Sequence, residues 1–398
     1  MSRPLVPVLS RHFHRLAWLA TALAFTVIVF GAFVRLSNAG LSCPDWPTCY
    51  GRAAWPTATS DIANHAATAI RELDPTKAWR EQMHRHLAAT LGFLVFVLAV
   101  IAARRRRLGI LQVITSAILV ALAIPLYMRG MHQASAALAI AAEAILLAAA
   151  WRWNNEDLSR VAMLTFAVII VQALLGMWTV TWLLKPVVVM GHLLGGFTTF
   201  ALLAWMAWRA TNVPIRLADT RLLRRLLIAG VVLLTIQIAL GGWTSSNYAA
   251  LSCGAGSMSI DNFPKCAGHW WPTADWHNGF VLWRDAFMGH GGVDYEGGVL
   301  DGQSRIAIQM AHRMMACVVF LYTWWLGIRL IRLPGMRTWG VLLALLVTTQ
   351  FALGVSNVKL ALPLHVAVLH NAGAAILLFL LVSLLARIQR PLRAAQPA

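Results

Sequence analysis

Two short polar segments carry the residue types that could do chemistry, and each stands at the start of a long apolar segment. The first is Glu81-Gln82-Met83-His84-Arg85, and the second, Gln309-Met310-Ala311-His312-Arg313, repeats it with an amide in place of the acid. Ionisable groups are costly near the membrane interior, so they are candidates for function there. On a helix, Glu81 and His84 would share a face because they are three residues apart.

The composition places the chain in a membrane. Of its 398 residues, 59% are hydrophobic and only 12% are charged, whereas about a quarter of the residues of a soluble domain are charged. The net charge of +18 could suggest a nucleic-acid partner. However, the arginines cluster between apolar segments, as the positive-inside rule predicts, and no nucleic-acid motif is present. We therefore expect a polytopic membrane protein without a nucleic-acid partner.

Ten apolar segments are each near the ~20 residues that a membrane-spanning helix needs. We predict an all-α protein with spans at about 16–36, 84–103, 109–128, 131–151, 161–182, 187–208, 226–244, 305–328, 338–357 and 363–386. The first has no convincing cleavage site and is interpreted as an uncleaved span.

The charges predict the orientation. With both termini inside, 20 of the 33 basic residues and only three of the 15 acids lie inside, while 11 acids lie outside. This asymmetry favours an N-in, C-in topology. Two long segments, 37–80 and 245–304, then face outside. Both are rich in Trp, Pro, Gly and Asp, and we expect them to cap a site.

Several short motifs occur twice. The segment Gln172-Ala173-Leu174-Leu175-Gly176 is echoed by Gln350-Phe351-Ala352-Leu353-Gly354. The outer end of the first span (Gly31 to Cys43) is echoed after the seventh (Gly241 to Cys253). We therefore predict two pseudo-symmetric four-helix bundles, residues 1–208 and 209–398, related by duplication. The first bundle has two extra spans, so 109–152 is predicted to be an inserted helical hairpin.

Four histidines hold corresponding places in the repeats: His84, His192, His312 and His370. A single such histidine would be interpreted as a core or interfacial residue, but four at repeat-related positions favour ligands. Two neutral imidazoles from facing helices are what a six-coordinate haem iron needs. Zinc is the rival metal, although two histidines per site without further ligands suit it poorly.

Three arginines are candidates for binding the haem propionates: Arg35, Arg85 and Arg313. The planar guanidinium of arginine presents donors that match the geometry of a carboxylate. The alternative is that they reach to lipid headgroups. Glu81 is a candidate acid–base group. Since Gln309 cannot ionise, the first bundle would hold the reactive haem and the second a resident one.

The cysteines also follow the repeat. Cys43 and Cys49 lie in the first outer segment, and Cys253 and Cys266 lie in the second. An oxidising outer face permits one disulfide in each, with free thiols or a redox-active pair as alternatives.

The chain resembles the haem A synthases of bacterial and mitochondrial membranes over nearly its whole length. The resemblance rests on the segment from Gly31 to Gly51, with its Cys43-Pro44-Asp45-Trp46-Pro47, and on Glu81 to Arg85, Leu175 to Thr181 and His192 to Gly196. The Cys-Pro-Asp-Trp-Pro form is similar to the proteobacterial branch. One departure is the hairpin, because the family usually has eight spans.

The resemblance implies an enzyme that oxidises the C8 methyl of haem O to the formyl of haem A, for terminal oxidases. His84 and His192 would then hold the substrate haem, His312 and His370 a haem b, and Glu81 would be catalytic. Cys43–Cys49 and Cys253–Cys266 would match the family's loop cysteines. Its setting would be the bacterial inner membrane, with haem sites near the periplasmic face. Haem O synthase (protohaem farnesyltransferase) and an electron acceptor or donor such as a quinone would be its partners.

Two other classes of protein remain as alternatives. A di-haem b-type electron-transfer protein would use the same histidines without reacting at the porphyrin. It has no need of the difference between Glu81 and Gln309. A transporter built from internal repeats would be expected to have its polar residues near the middle of the membrane, whereas here they lie at the outer edge.

Overall fold

A computed structural model describes residues 12–155, 157–217, 220–254, 259–283 and 293–388. Within these ranges the chain is helical, with short 3-10 turns and no named strand. The helices are α1 (Phe13–Leu36), α2 (Pro75–Ala103), α3 (Gly109–Met128), α4 (His132–Arg152), α5 (Ser159–Thr181), α6 (Pro186–Thr211), α7 (Arg221–Ser246), α8 (Trp276–Gly279), α9 (Gly302–Ile331), α10 (Arg337–Lys359) and α11 (Leu364–Arg387). All except α8 are long and apolar enough to cross a membrane, which confirms the ten predicted spans.

Helix α2 begins nine residues before the apolar segment that predicted it, whereas α7 begins five residues early and α9 three residues early. Helix α2 starts at Pro75 rather than near residue 84, because the Asp74 carboxylate caps it by accepting from the backbone N–H groups of Thr76 and Lys77. Helix α9 starts at Gly302, where Asp301 accepts from Ser304 N. Hydropathy does not detect such polar first turns. The two outer loops are therefore shorter than predicted, at 37–74 (loop 1) and 247–301 (loop 2).

The long helices form two rings of four. In the first ring α1 contacts α2 and α6, and α5 contacts the same two helices. In the second ring α7 and α10 each contact α9 and α11. The rings meet where α6 packs on α7 and α11, and where α1 packs on α11. One apolar core runs through both, with Leu98 and Leu203 buried in the first and Leu227 and Leu330 in the second.

The hairpin α3–α4 packs on the outside of the first ring. Helix α3 contacts α2 and α4 contacts α5, yet α2 and α5 also contact each other directly. The base of the hairpin is held by Arg106, whose guanidinium lies 2.9 Å from the Asp157 carboxylate and donates to Ser159 Oγ. The hairpin therefore adds to a four-helix ring without opening it.

Backbone features recur at corresponding places in the two rings. Asn38 and Tyr248, which follow α1 and α7, have φ values of 50° and 53°. Left-handed pairs also join α5 to α6 and α10 to α11, at Leu183–Leu184 and Ala361–Leu362. These features support the predicted duplication, which stays a prediction, as does the N-in topology. Some charges on which that topology depends lie outside the described residues: Arg3, Arg11, Glu156, Asp219, Asp285, Arg390 and Arg393.

Both outer loops lie at the same end of the helices, here called the loop end. Arg71 of loop 1 forms ion pairs with Asp294 and Glu296 of loop 2. Tyr295 of loop 2 donates its backbone N–H to the carbonyl of Leu183, in the α5–α6 turn. The loops therefore form one joined layer above the ring ends.

Candidate functional site

In the first ring, each histidine lies against a glycine on a neighbouring helix. A β-carbon built on Gly31 of α1 would lie 2.7 Å from Nε2 of His84 on α2. A β-carbon on Gly176 of α5 would lie 3.2 Å from Cε1 of His192 on α6. Ordinary carbon contacts are 3.5–4.0 Å, so a larger residue would displace either imidazole. Because glycine has no side chain, Gly31 and Gly176 leave room for the two imidazoles.

The second ring repeats this arrangement. Gly241 of α7 lies against His312 of α9, and Gly354 of α10 lies against His370 of α11. The corresponding β-carbon distances to Cε1 are 3.3 and 3.1 Å. All four predicted histidines are thus close-packed against helix backbone within two rings of the same design.

The histidines form two pairs. His84 interacts electrostatically with His192, and His312 with His370. Among the described residues, no group of three or more His, Cys, Asp or Glu side chains could hold a metal ion. Each pair is therefore a two-imidazole donor set on opposite helices of a ring. This donor set, with a glycine beside each imidazole, fits an axially ligated haem better than a structural zinc site.

Glutamine side chains hold two of the histidines in the same way. With its amide oriented so that both its oxygen and its nitrogen have partners, Gln172 donates to the carbonyl oxygen of His192 at 3.0 Å and lies 3.0 Å from its Nδ1. The Gln350 amide donates to the carbonyl oxygen of His370 at 2.8 Å. A β-carbon on Gly195 or Gly373, three residues after the respective histidine, would collide with the glutamine. Both glutamines are thus wedged between their helices at a glycine.

The remaining two histidines differ from each other. The Nε2 amide group of Gln237 lies 3.2 Å from Nδ1 of His312 and 3.3 Å from its carbonyl oxygen. His84 has no such glutamine, because Val27 stands at the corresponding position, four residues before Gly31. The His84 ring instead lies beside the Val27 backbone carbonyl. Three of the four histidines therefore have a glutamine neighbour.

Glu81 is buried, with 5% of its surface exposed, and both carboxylate oxygens have partners. Oε2 accepts from the backbone N–H of Cys43 at 2.8 Å. Oε1 accepts from Arg85 Nη2 at 2.6 Å. Because α2 extends to Pro75, Glu81 and His84 lie on one helix, but the carboxylate is directed to the start of loop 1.

Arg85 binds loop 1, which the sequence did not indicate. Its guanidinium donates to the carbonyl oxygens of Asp45 at 2.8 Å, Thr48 at 2.7 Å and Cys43 at 2.9 Å. Together with Glu81, it fixes the disulfide-bearing turn of loop 1. Its donors are therefore engaged by protein rather than by headgroups.

The corresponding pair in the second ring has few partners. Arg313 donates to the Lys265 carbonyl at 3.0 Å, but its Nε and Nη2 are buried without a partner. Oε1 of the buried Gln309 also has none, nor has Nδ1 of His370. The two Arg313 nitrogens are buried donors, and they fit a carboxylate ligand, since an unmade hydrogen bond is costly.

Arg35 connects the two rings. Its Nη1 donates to the Tyr248 hydroxyl at 3.0 Å, its Nη2 donates to the Ser245 carbonyl at 3.1 Å, and its guanidinium carbon stands 4.6 Å from the centre of the Tyr248 ring. It thus joins the ends of α1 and α7.

One disulfide lies in each outer loop. Cys43 is bonded to Cys49 and Cys253 to Cys266. In loop 1, the Asp45 carboxylate accepts from the backbone N–H groups of Tyr50 and Gly51. Tyr50 is fully buried, and this burial raises the pKa of its hydroxyl to about 12. Loop 1 is therefore a folded cap with a core of its own.

Sequence comparison places this architecture in a family. A family model described as "COX15-CtaA: Cytochrome oxidase assembly protein" matches residues 14–124 and 132–382. The chain belongs to the COX15-CtaA family. It is 35% identical over 379 residues to the Heme A synthase of Shewanella oneidensis, covering 93% of this chain and 96% of that one.

Two further relatives match at lower identity. The Heme A synthase of Caulobacter vibrioides is 28% identical over 231 residues, covering 55% of this chain and 60% of that one. The Heme A synthase of Caulobacter sp. K31 is 28% identical over 266 residues, covering 61% and 74%. The family match leaves out residues 125–131, which are the last turn of α3 and the turn of the hairpin, so most of the hairpin lies within the matched region.

Proposed function

We propose that this protein is a haem A synthase, which oxidises the C8 methyl of haem O to a formyl group and so supplies haem A to terminal oxidases. The observation that carries this proposal is the pair of two-imidazole sites, since among the described residues an acid, Glu81, precedes the histidine of the first site by one helical turn, and the amide Gln309 takes that place in the second. Near full-length similarity to a Heme A synthase supports it. The reaction is a four-electron oxidation: with water as the oxygen source, two hydroxylations followed by loss of one water convert the methyl group and H2O into a formyl group, four protons and four electrons, and the electron acceptor takes up the electrons.

His84 and His192 are the proposed ligands of haem O, the substrate. Their imidazoles come from facing helices of the first ring, and Gly31 and Gly176 leave space beside them. Arg35 has a buried Nε without a partner, so it remains a candidate for a propionate. Arg85 is a weaker candidate, because Glu81 and three carbonyl groups engage it.

His312 and His370 are the proposed ligands of a resident haem b, which would supply one-electron transfer. The unpartnered Nε and Nη2 of Arg313 make this arginine the best candidate for a propionate. A contact between Arg313 and a propionate would be a charge-assisted hydrogen bond, which is about twice as strong as a neutral one.

Glu81 is the proposed acid–base group. Each oxidation of the methyl group releases protons, and a carboxylate close to the reacting centre can accept them. In the structure both of its oxygens are occupied, so accepting a proton would weaken the bond to Arg85. Proton transfer at Glu81 would therefore be coupled to the position of loop 1.

The two rings correspond to the proposed functional halves, residues 1–208 for the substrate haem and 209–398 for haem b. We place the protein in the bacterial inner membrane, with the loop end and both haem sites at the periplasmic face. The haem O synthase, protohaem farnesyltransferase, would supply the substrate. A quinone is the proposed electron acceptor.

Extraction of haems after expression with a haem O source tests the function. The expected products are haem A and hydroxylated haem O, together with bound haem b. The equal design of the two histidine pairs also suits a di-haem electron-transfer protein. Bound b-type haem with neither oxidised product would establish that alternative and reject the synthase.

A further inference from the structure

We infer that the glutamines beside the histidines are positioning residues that separate a firmly held haem from an exchangeable one. Val27, which stands where the fourth glutamine would be, then makes His84 the releasing ligand. This inference rests on the proposed function, because it takes the first ring as the site where substrate enters and product leaves.

The three glutamines share one location. Gln172, Gln237 and Gln350 each stand four residues before the glycine that faces the histidine. Each places its amide nitrogen within 3.3 Å of that histidine's carbonyl oxygen. The bond ties the histidine's own backbone to the adjacent helix, which limits movement of the imidazole.

Val27 has no side-chain group that can make this bond. Its side chain is apolar and packs against the core, so the carbonyl oxygen of His84 receives no side-chain donor from α1. The His84 ring lies within hydrogen-bonding reach of the backbone carbonyl of Val27, which orients the imidazole but leaves the His84 carbonyl oxygen without the tie to the adjacent helix that the other three histidines have. The position is structurally comparable to that of Gln237, because α1 meets α2 in the first ring as α7 meets α9 in the second.

The glutamines are distributed unequally between the two rings. Both histidines of the second ring have one, whereas in the first ring only His192 does. Hydrogen bonds to the groups that orient a metal ligand typically change metal affinity 10- to 100-fold when they are removed. The second ring is therefore built to retain its haem, and the first ring is built to release its haem from the His84 side.

The test is the rate at which haem passes from the purified full-length protein in detergent to an excess of apomyoglobin. The chromatographic identity of the released pigment distinguishes haem O from haem b. Val27→Gln is expected to slow release of haem O roughly 10-fold or more. Val27→Leu, which adds similar bulk without an amide, is expected to release it at the wild-type rate. Equal rates for the two variants would overturn the inference.

Removing the existing glutamines gives an independent measurement. Gln350→Leu and Gln237→Leu are expected to speed release of haem b roughly 10-fold or more, and Gln350→Asn to restore part of the retention. The electron paramagnetic resonance spectrum of the ferric haem should change with them, because it depends on the orientation of the imidazoles. An unchanged spectrum with unchanged release would reject the positioning role.

A failure of this inference can be distinguished from a failure of the proposed function. The release rates report binding, and they can be measured with haem b in a His312→Ala/His370→Ala double variant that keeps only the first pair. If the wild type forms no haem A, the synthase proposal fails, while the difference between Val27→Gln and Val27→Leu still decides this inference.

Discussion

The starts of α2 and α9 carry nearly the same residues and use them differently. In the first ring the Glu81 carboxylate receives the backbone N–H of Cys43 and the guanidinium of Arg85. In the second ring the side-chain oxygen of Gln309 has no partner, and two nitrogens of Arg313 are also unpaired. The first ring thus joins its histidine helix to a folded cap, whereas the second leaves buried donors for a ligand.

The presence of Glu81 in the first ring, where the second has Gln309, changes the contacts of the neighbouring arginine. With a carboxylate four residues earlier, Arg85 is drawn into an ion pair and binds loop carbonyl groups. Without it, Arg313 keeps free donors. The two arginines would look equivalent in sequence, but of the two only Arg313 has buried nitrogens without a partner, which makes it the better candidate for a propionate.

The largest expected effect comes from removing the acid. Glu81→Gln should lower haem A formation about 100-fold or more, the usual size of an acid–base contribution, while haem binding is retained. The measurement is the haem A yield per bound haem O. The matched variant Gln309→Glu should leave the product in place, and undiminished haem A in Glu81→Gln would remove this residue from the mechanism.

The Arg85 network should be the next most sensitive. Arg85→Gln leaves the buried Glu81 charge without its partner, and breaking a buried ion pair costs about 3–5 kcal/mol. Arg313→Gln removes one hydrogen bond to Lys265 and should cost roughly 1–3 kcal/mol in the haem-free protein. Unfolding in detergent measures both, and equal losses would contradict the difference between the rings.

Glycine variants sharpen the comparison of the histidine sites. Gly31→Ala would place a β-carbon 2.7 Å from His84 Nε2, whereas Gly241→Ala would place one 3.3 Å from His312 Cε1. Overpacking costs about 1–3 kcal/mol, so we expect clear loss of haem O from the first variant and little loss of haem b from the second. Haem content per polypeptide measures this, and the reverse order would be inconsistent with it.

The smallest effect is expected at the contact between the loops. Arg71→Ala removes ion pairs with Asp294 and Glu296, which are partly exposed and worth at most about 1 kcal/mol. Hydrogen exchange in loops 1 and 2 should rise while haem content stays the same. Lys77→Ala, which removes an exposed pair within loop 1 and the start of α2, is the control and should leave loop 2 unaffected.

The sequence predicted the elements whose physical signal is local. Ten apolar segments indicated ten helices, and the repeated motifs indicated four corresponding histidines. The helix starts at Pro75 and Gly302 were not predicted, because a polar first turn capped by Asp74 or Asp301 has no hydropathy signal.

The residues that the sequence missed act through contacts between distant segments. Gln237 and Val27 matter only because α7 lies beside α9 and α1 beside α2. A search for glutamine four residues before each repeat-related glycine would have found Gln237, since the spacing was already visible at Gln172 and Gln350. The contacts of Arg85 with three carbonyl groups of loop 1 depend on the folded loop, and no sequence pattern indicates them.

The contact between α2 and α5 closes the first ring without the hairpin α3–α4. Because these two helices meet directly, the hairpin packs on the outside of the ring and does not complete it, although Val113 and Leu146 add to the buried core. A short hydrophilic linker in its place, or a larger domain grafted at its tip near Gly130, should leave the ring intact. The connection from α2 to α5 is thus a natural attachment point, where a fiducial protein for electron microscopy or a tether to a partner enzyme could be added.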